Sequence, residues 1–278
     1  MDAIKRVLLF DGKAIVDVLD TTEIVQKAIN YHKLSDDAAK ALGRVLTIGA
    51  FISSGFKGNE NKLTIIVDGQ GNGGKMVVTA DAGAIVRGYM QNPKAMGDVK
   101  DVVGKNGYIN VIKDFGMKEP YNGLSELVIG DIAMDFAYYF TKSEQLPSAI
   151  ALDVDVKNGI CKKAAGIIVQ PMPNCTDEII VILEDIVNQM KNIASIIEEK
   201  TLQGVVDFYF GHFPIQQLED VYPKYECTCS RDKVSQMLIT LGKEELESII
   251  KEHGHIEVGC QFCDKKYNFT KEDINNLF

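Results

Sequence analysis

Four of the six cysteines in this 278-residue chain stand in two close pairs, Cys227-Thr-Cys229 and Cys260-Gln-Phe-Cys263, with 30 residues between the pairs. Brought together, two such pairs offer four thiolates at the corners of a tetrahedron, which is the arrangement of a structural zinc site. The short spacing matters because a single turn aims both sulfurs of a pair at one point. One zinc per chain, held by Cys227, Cys229, Cys260 and Cys263, is therefore the expected cofactor. All four lie in the last 52 residues, and a segment of that size has little core of its own and usually needs a staple. A structural zinc contributes ~10–16 kcal/mol of coupled folding energy in small peptides, against a whole-domain stability of roughly 5–15 kcal/mol. The segment is expected to be unfolded without its metal.

The same sulfurs are equipped for redox chemistry. The first pair is Cys-x-Cys rather than the Cys-x-x-Cys common in zinc ribbons, and each pair is close enough in sequence to close an internal disulfide once the metal leaves, subject to geometry. Oxidation removes thiolate ligands, and with them the energy that folds the module. A purely structural zinc is the alternative. His253 and His255 lie near the second pair, but four cysteines already fill the tetrahedron. Cys161 and Cys175 have no Cys or His beside them and read as ordinary thiols.

The elements that must position these groups fall into three stretches. Residues 1–175 read as an α+β core domain. Lys5–Phe10 and Ala14–Leu19 are β-like runs joined at Asp11-Gly12, a hairpin signal. Thr21–Tyr31 and Ser35–Phe56 carry helical spacing, the second with Ser35, Asp36 and Asp37 as its start. Lys62–Val67, Lys75–Thr79 and Ile85–Tyr89 predict a β-meander. A strand at Tyr108–Lys113, a helix near Asp131–Thr141, and strands over Ala149–Val156 and Ala165–Val169 follow. Grouped strands and helices, rather than regular alternation, favour α+β.

Residues 176–226 read as an amphipathic helical connector. Ile179, Ile182, Leu183, Ile186, Met190, Ile193 and Ile197 repeat at helical spacing, opposite Glu184, Asp185, Asn188, Lys191, Asn192, Ser195 and Glu199. Phe208, Tyr209, Phe210 and Phe213 make the following stretch equally apolar. The connector's apolar face must be covered, most simply by the first domain. Residues 227–278 form the third part, the zinc-binding redox-switch module.

Composition excludes several classes. Lys plus Arg number 30 against 39 for Asp plus Glu, a net charge of −9, which makes nucleic acid a poor partner because phosphate binding needs a clustered basic surface. No apolar run approaches the roughly 18 residues of a membrane span, so no membrane partner is expected. The N-terminal apolar stretch is too short for a secretory signal, which predicts a cytoplasmic protein and no permanent disulfides. Asp68-Gly-Gln-Gly-Asn-Gly-Gly74 has the glycines of a nucleotide loop, but a β-like run follows it where a helix is required. A flexible hairpin turn is expected there. With no phosphate-binding loop and no Gly-x-Ser-x-Gly, no enzyme is predicted. Two competing readings use the module differently. In one, Lys233, Lys243, Lys251, Lys265, Lys266 and Lys271 make it a nucleic-acid-binding zinc ribbon. In the other, Cys260-x-x-Cys263 is a redox catalyst, although no thioredoxin-like βαβ context surrounds it.

Cys227-Thr-Cys229-Ser-Arg231, then Cys260-Gln-Phe-Cys263 followed by Tyr267-Asn-Phe269, resembles the C-terminal zinc module of the 33-kDa heat-shock chaperones. Gly104-Lys-Asn-Gly107-Tyr108, Tyr139–Ser148 and Gly166–Pro173 are similar to the same family, so the resemblance spans the whole chain. It implies a redox-regulated, ATP-independent holdase, inactive while reduced and zinc-bound. Oxidation there converts the ligands to two disulfides, by position Cys227–Cys229 and Cys260–Cys263, and releases the zinc. The module and connector then unfold and expose apolar surface to unfolding or oxidatively damaged client proteins. The resemblance also implies a homodimer in the activated form. It assigns no role to Cys161 or Cys175 and no individual client-contact residue.

Overall fold

Helix α2 (Asp36–Ser54) is the axis around which the larger part of the chain is built. Ser35 Oγ accepts the Ala38 N–H at 3.2 Å, and Asp36 and Asp37 place negative charge in the first turn, where it suits the helix dipole. From Ala38 to Ser53 the helix is buried on nearly every side, as expected of an internal helix rather than a surface one. Gly49 admits the sheet: a Cβ there would lie 2.8 Å from Val78 Cγ1. The computed structural model describes residues 1–190 and 192–278, which divide into two units, Met1–Glu226 and Cys227–Phe278.

In the first unit, β1 (Ala3–Leu9), β2 (Ala14–Asp20), β8 (Ala149–Lys157), β9 (Ile160–Pro171) and β10 (Ile215–Gln217) make a five-stranded antiparallel sheet, ordered β10-β1-β2-β9-β8. A six-stranded sheet, ordered β11-β5-β4-β3-β6-β7, contains β3 (Lys62–Asp68), β4 (Met76–Asp81), β5 (Ile85–Met90), β6 (Tyr108–Asp114), β7 (Tyr121–Glu126) and β11 (Lys224–Tyr225). Its neighbours are antiparallel except β11, which runs parallel to β5. α2, with α1 (Thr22–His32) and α4 (Ile132–Ser143), shares one apolar core with residues from both sheets.

The five-stranded sheet is covered on both faces. Ile4, Leu19, Ile150 and Leu152 point into the core around α2. Their alternates Val7, Leu9, Val16, Val18, Ile167 and Val169 form a second core with α5 (Asp177–Gln189) and α6 (Ile193–Phe210). That period-2 division is what a strand imposes on its side chains. From α6 onward the chain is extended, and it straps the edges of both sheets. Phe10 N–H donates to Pro214 O at 3.2 Å, and Leu218 N–H to Arg6 O at 3.0 Å. Ile4 and Val221 exchange both backbone bonds, at 2.7 and 3.0 Å. Lys224 N–H then donates to Ala84 O and Glu226 N–H to Val86 O, and the buried Tyr225 hydroxyl donates to Gly88 O at 3.1 Å.

Several expectations change. The connector is helical only to Phe210; residues 215–226 are strands and bridges. The continuous periodicity of Ile179–Ile197 hides a break, because Asn192 sits at φ +57° and starts a new helix, a conformation Asn tolerates. Leu183, Val187, Met190, Ile193 and Ile197 are buried, whereas Ile182 is 41% exposed. Lys191, placed on the polar face by the sequence, lies outside the described residues. The 68–74 glycine loop is a turn between strands but is pinned rather than free. Gly71, Asn72 and Gly73 N–H groups donate to the carbonyls of Val103, Asp101 and Val102 of α3 (Val99–Val103). A Cβ at Gly71 would come within 2.5 Å of that backbone.

The second unit has α7 (Arg231–Ile239), α8 (Lys243–His253), a hairpin of β12 (Ile256–Gly259) and β13 (Lys266–Phe269), and α9 (Lys271–Asn275). Its core is small: Leu238, Leu246, Ile256, Phe269 and Ile274 are its most enclosed apolar members alongside Tyr267 and Ile250.

Candidate metal centre

Both cysteine pairs sit on turns tied to regular elements of the second unit. Cys227 and Cys229 immediately precede α7, where Ser230 Oγ accepts the Lys233 N–H at 3.2 Å. Cys260 and Cys263 occupy the connection of the β12–β13 hairpin. Cys260 N–H donates to Lys265 O and Asp264 N–H to Cys260 O, each at 2.9 Å, with Asp264 at φ +58°. The turn therefore folds back under its own sulfurs.

The structure brings all four predicted sulfurs together, each Sγ within 4.8 Å of the others. Cys227 Sγ lies 3.5 Å from Cys260 Sγ, and Cys229 Sγ 3.5 Å from Cys263 Sγ. Tetrahedral ligation with metal–sulfur bonds of about 2.3 Å places sulfurs about 3.8 Å apart, so this donor set fits a thiophilic ion such as zinc. Cys161 and Cys175 are not members of the cluster: the first is buried on β9 and the second half-buried before α5. His253 lies at the exposed end of α8, 3.8 Å from Glu252, and neither it nor His255 joins the sulfurs.

Three further side chains shape the centre. Tyr267 on β13 donates its hydroxyl to Cys229 Sγ at 3.1 Å. Arg231 clamps the first turn to the hairpin: its guanidinium lies 4.2 Å from the Phe269 ring centroid, donates to Asn268 O at 2.8 Å and pairs with Asp273 at 3.0 Å. Lys233 Nζ donates to Thr228 O at 2.8 Å. Arg231 and Tyr267 stand out in the sequence only as neighbours of the cysteines, and their roles need the hairpin register to be seen.

Electrostatics separate the thiols. Burial pushes Cys227 and Cys263 up. It also opposes ionisation of Cys229, but hydrogen bonds from Tyr267 and the neighbouring sulfurs outweigh it and bring that thiol down to about 7. Cys161 is the reverse case, pushed up to about 12 first by burial and then by Asp2 and Asp20. The cluster can present a thiolate to a metal or an oxidant, whereas Cys161 is held as an inert thiol.

The sequence model of the Hsp33 protein family matches residues 2–270. The chain belongs to the Hsp33 family. It is 37% identical over 286 aligned positions to the 33 kDa chaperonin of Clostridium novyi, covering 99% of this chain and 97% of that protein. With the 33 kDa chaperonin of Clostridium botulinum it shares 39% identity over 267 positions, 92% of this chain and 90% of that protein. The crystal structure of the 33 kDa chaperonin (heat shock protein 33 homolog) of Thermotoga maritima superposes with a TM-score of 0.90 at 31% identity, over 99% of this chain and 97% of that one. This is an Hsp33 chaperone-family chain with an α+β fold and a four-cysteine cluster at metal-binding distance. Among the described residues, no helix is long and apolar enough to cross a membrane.

Proposed function

We propose that the chain is a redox-regulated, ATP-independent cytoplasmic holdase without catalytic activity of its own. Cys227, Cys229, Cys260 and Cys263 hold one zinc in the reduced state. Residues 1–175 act as the stable core, 176–226 as the connector that exposes client-binding surface, and 227–278 as the switch. The four-sulfur cluster carries this reading, because it sits in a small unit whose apolar core is too slight to fold without a staple. Oxidation forms Cys227–Cys229 and Cys260–Cys263. Each disulfide forms as a pair of thiolates gives up two electrons to a two-electron oxidant such as peroxide, which takes up two protons from solvent and leaves as two waters. The sulfurs then offer no thiolates to a metal, and the module loses its folding energy.

The effector is next in the chain. α5 and α6 cover the face formed by Val7, Val16, Val18, Ile167 and Val169, and freeing it creates a contiguous apolar patch of the kind that binds non-native chains. Activated chains associate as homodimers, and their partners are unfolding or oxidatively damaged proteins. The test compares reduced, zinc-loaded protein with peroxide-treated protein in suppressing aggregation of a heat-unfolded client, with disulfides mapped by peptide mass spectrometry. Holding by the oxidised form alone, with bonds 227–229 and 260–263, is expected. Equal holding by the reduced form contradicts the gate.

A further inference from the structure

The outer edge of β1 is under-filled by the segment that covers it. β1 has seven residues, and β10 pairs with only three of them, at Val7↔Gln217, Leu8↔Gln216 and Leu9↔Ile215. The rest of the edge is closed by the Ile4–Val221 bridge, the Leu218 bond to Arg6 and the Lys5–Asp220 ion pair at 3.0 Å. Ile4, Arg6 and Phe10 direct backbone groups at the strap, and by alternation Leu8 does too. A strap of residues 214–226 that leaves therefore exposes a run of unpaired donors and acceptors, beside the apolar Val7 and Leu9 that α6 covers.

We propose that this freed β1 edge captures an extended segment of a non-native polypeptide by strand addition, along the place that residues 214–221 vacate. Backbone hydrogen bonds provide attachment that any sequence can make. The Val7 and Leu9 face selects segments with apolar residues at alternate positions, as unfolded cores supply. The inference rests on the reading that oxidation releases the strap, whose last bonded residue, Glu226, adjoins Cys227.

Amide hydrogen exchange on the full-length protein tests it. The Ile4 and Phe10 amides should be protected when reduced, exchange freely when oxidised alone, and regain protection when a heat-unfolded client is bound. Suppressed aggregation with these amides still exchanging, or never deprotected, overturns strand addition while leaving the gated holdase intact. Absence of suppression by the oxidised protein overturns both. Protection that returns with rising chain concentration and no client shows a second copy in the edge and also overturns the proposal. The variant Leu8→Pro removes the central donor that β1 turns toward β10 in the reduced protein and toward a client once the strap has left. With zinc release unchanged, the oxidised variant should need about tenfold more protein for equal suppression, the effect of losing a backbone bond and loosening its neighbours. Holding equal to or better than the parent's contradicts the proposal, because a looser strap alone would favour release.

Discussion

Cys260 illustrates how much single residues carry in the second unit. Its sulfur is 3.5 Å from Cys227 and its backbone closes the hairpin turn through Lys265 and Asp264. Cys260→Ser keeps the turn but removes a thiolate, so zinc content measured on purified protein should fall well below one per chain. Tyr267→Phe removes only the hydroxyl that donates to Cys229. Metal should still bind, while the metal-free Cys229 thiol, read by alkylation rate against pH, should titrate above 7. In the first unit, Asp36 accepts the Asn158 and Gly159 N–H groups at 2.8 Å each and its carboxyl is held below the ordinary carboxylate range, chiefly by the Gly159 bond. A depressed carboxylate stabilises the fold above its unfolded pKa, and that contribution is lost as pH falls through the folded value. Asp36→Ala should therefore cost about 1 kcal/mol in denaturant melts at pH 7, with the difference from the parent closing in acid.

Elements differ in how plainly the sequence announces them. Ser35 followed by two aspartates marks α2, Asp11-Gly12 marks the first hairpin, and the alternation of Leu63, Ile65 and Val67 marks β3. Each is a local signal that tertiary packing reinforces. β7, Tyr-Asn-Gly-Leu-Ser-Glu, has no β-branched residue, and it is a strand because β6 supplies an edge. β10 and β11 are equally dependent on strands far away in sequence. The break at Asn192 is invisible because apolar spacing continues across it, and Thr201, at φ +64°, interrupts α6 although a β-branched residue rarely adopts that conformation. The four cysteines were legible as a set because spacing alone declares them, whereas the Arg231 clamp was not, since it depends on which faces of β13 and α9 meet. At this scale, α6 is fastened to the sheet by Phe210, which is fully buried. Phe210→Ala should cost about 3–5 kcal/mol of that docking, and aggregation assays should show partial holding without oxidant.

The whole molecule pairs a well-filled first unit with a second whose core is slight. Removing the metal under reducing conditions should therefore melt residues 227–278 in hydrogen-exchange profiles while the strands around α2 stay protected. The chain order places the four-cysteine unit directly after the strap, and the strap directly after the helices that cover the apolar sheet face. In the proposed gate, loss of order spreads backward from the cysteines through residues 226 to 214 and reaches α6 without disturbing the core. The most direct measurement of that coupling is a peroxide time course at mild heat that follows zinc release, free thiols and client light scattering in one sample. One zinc and four of the six thiols should disappear in step with the onset of holding, and holding by a chain that still carries its zinc and all its thiols would contradict the account.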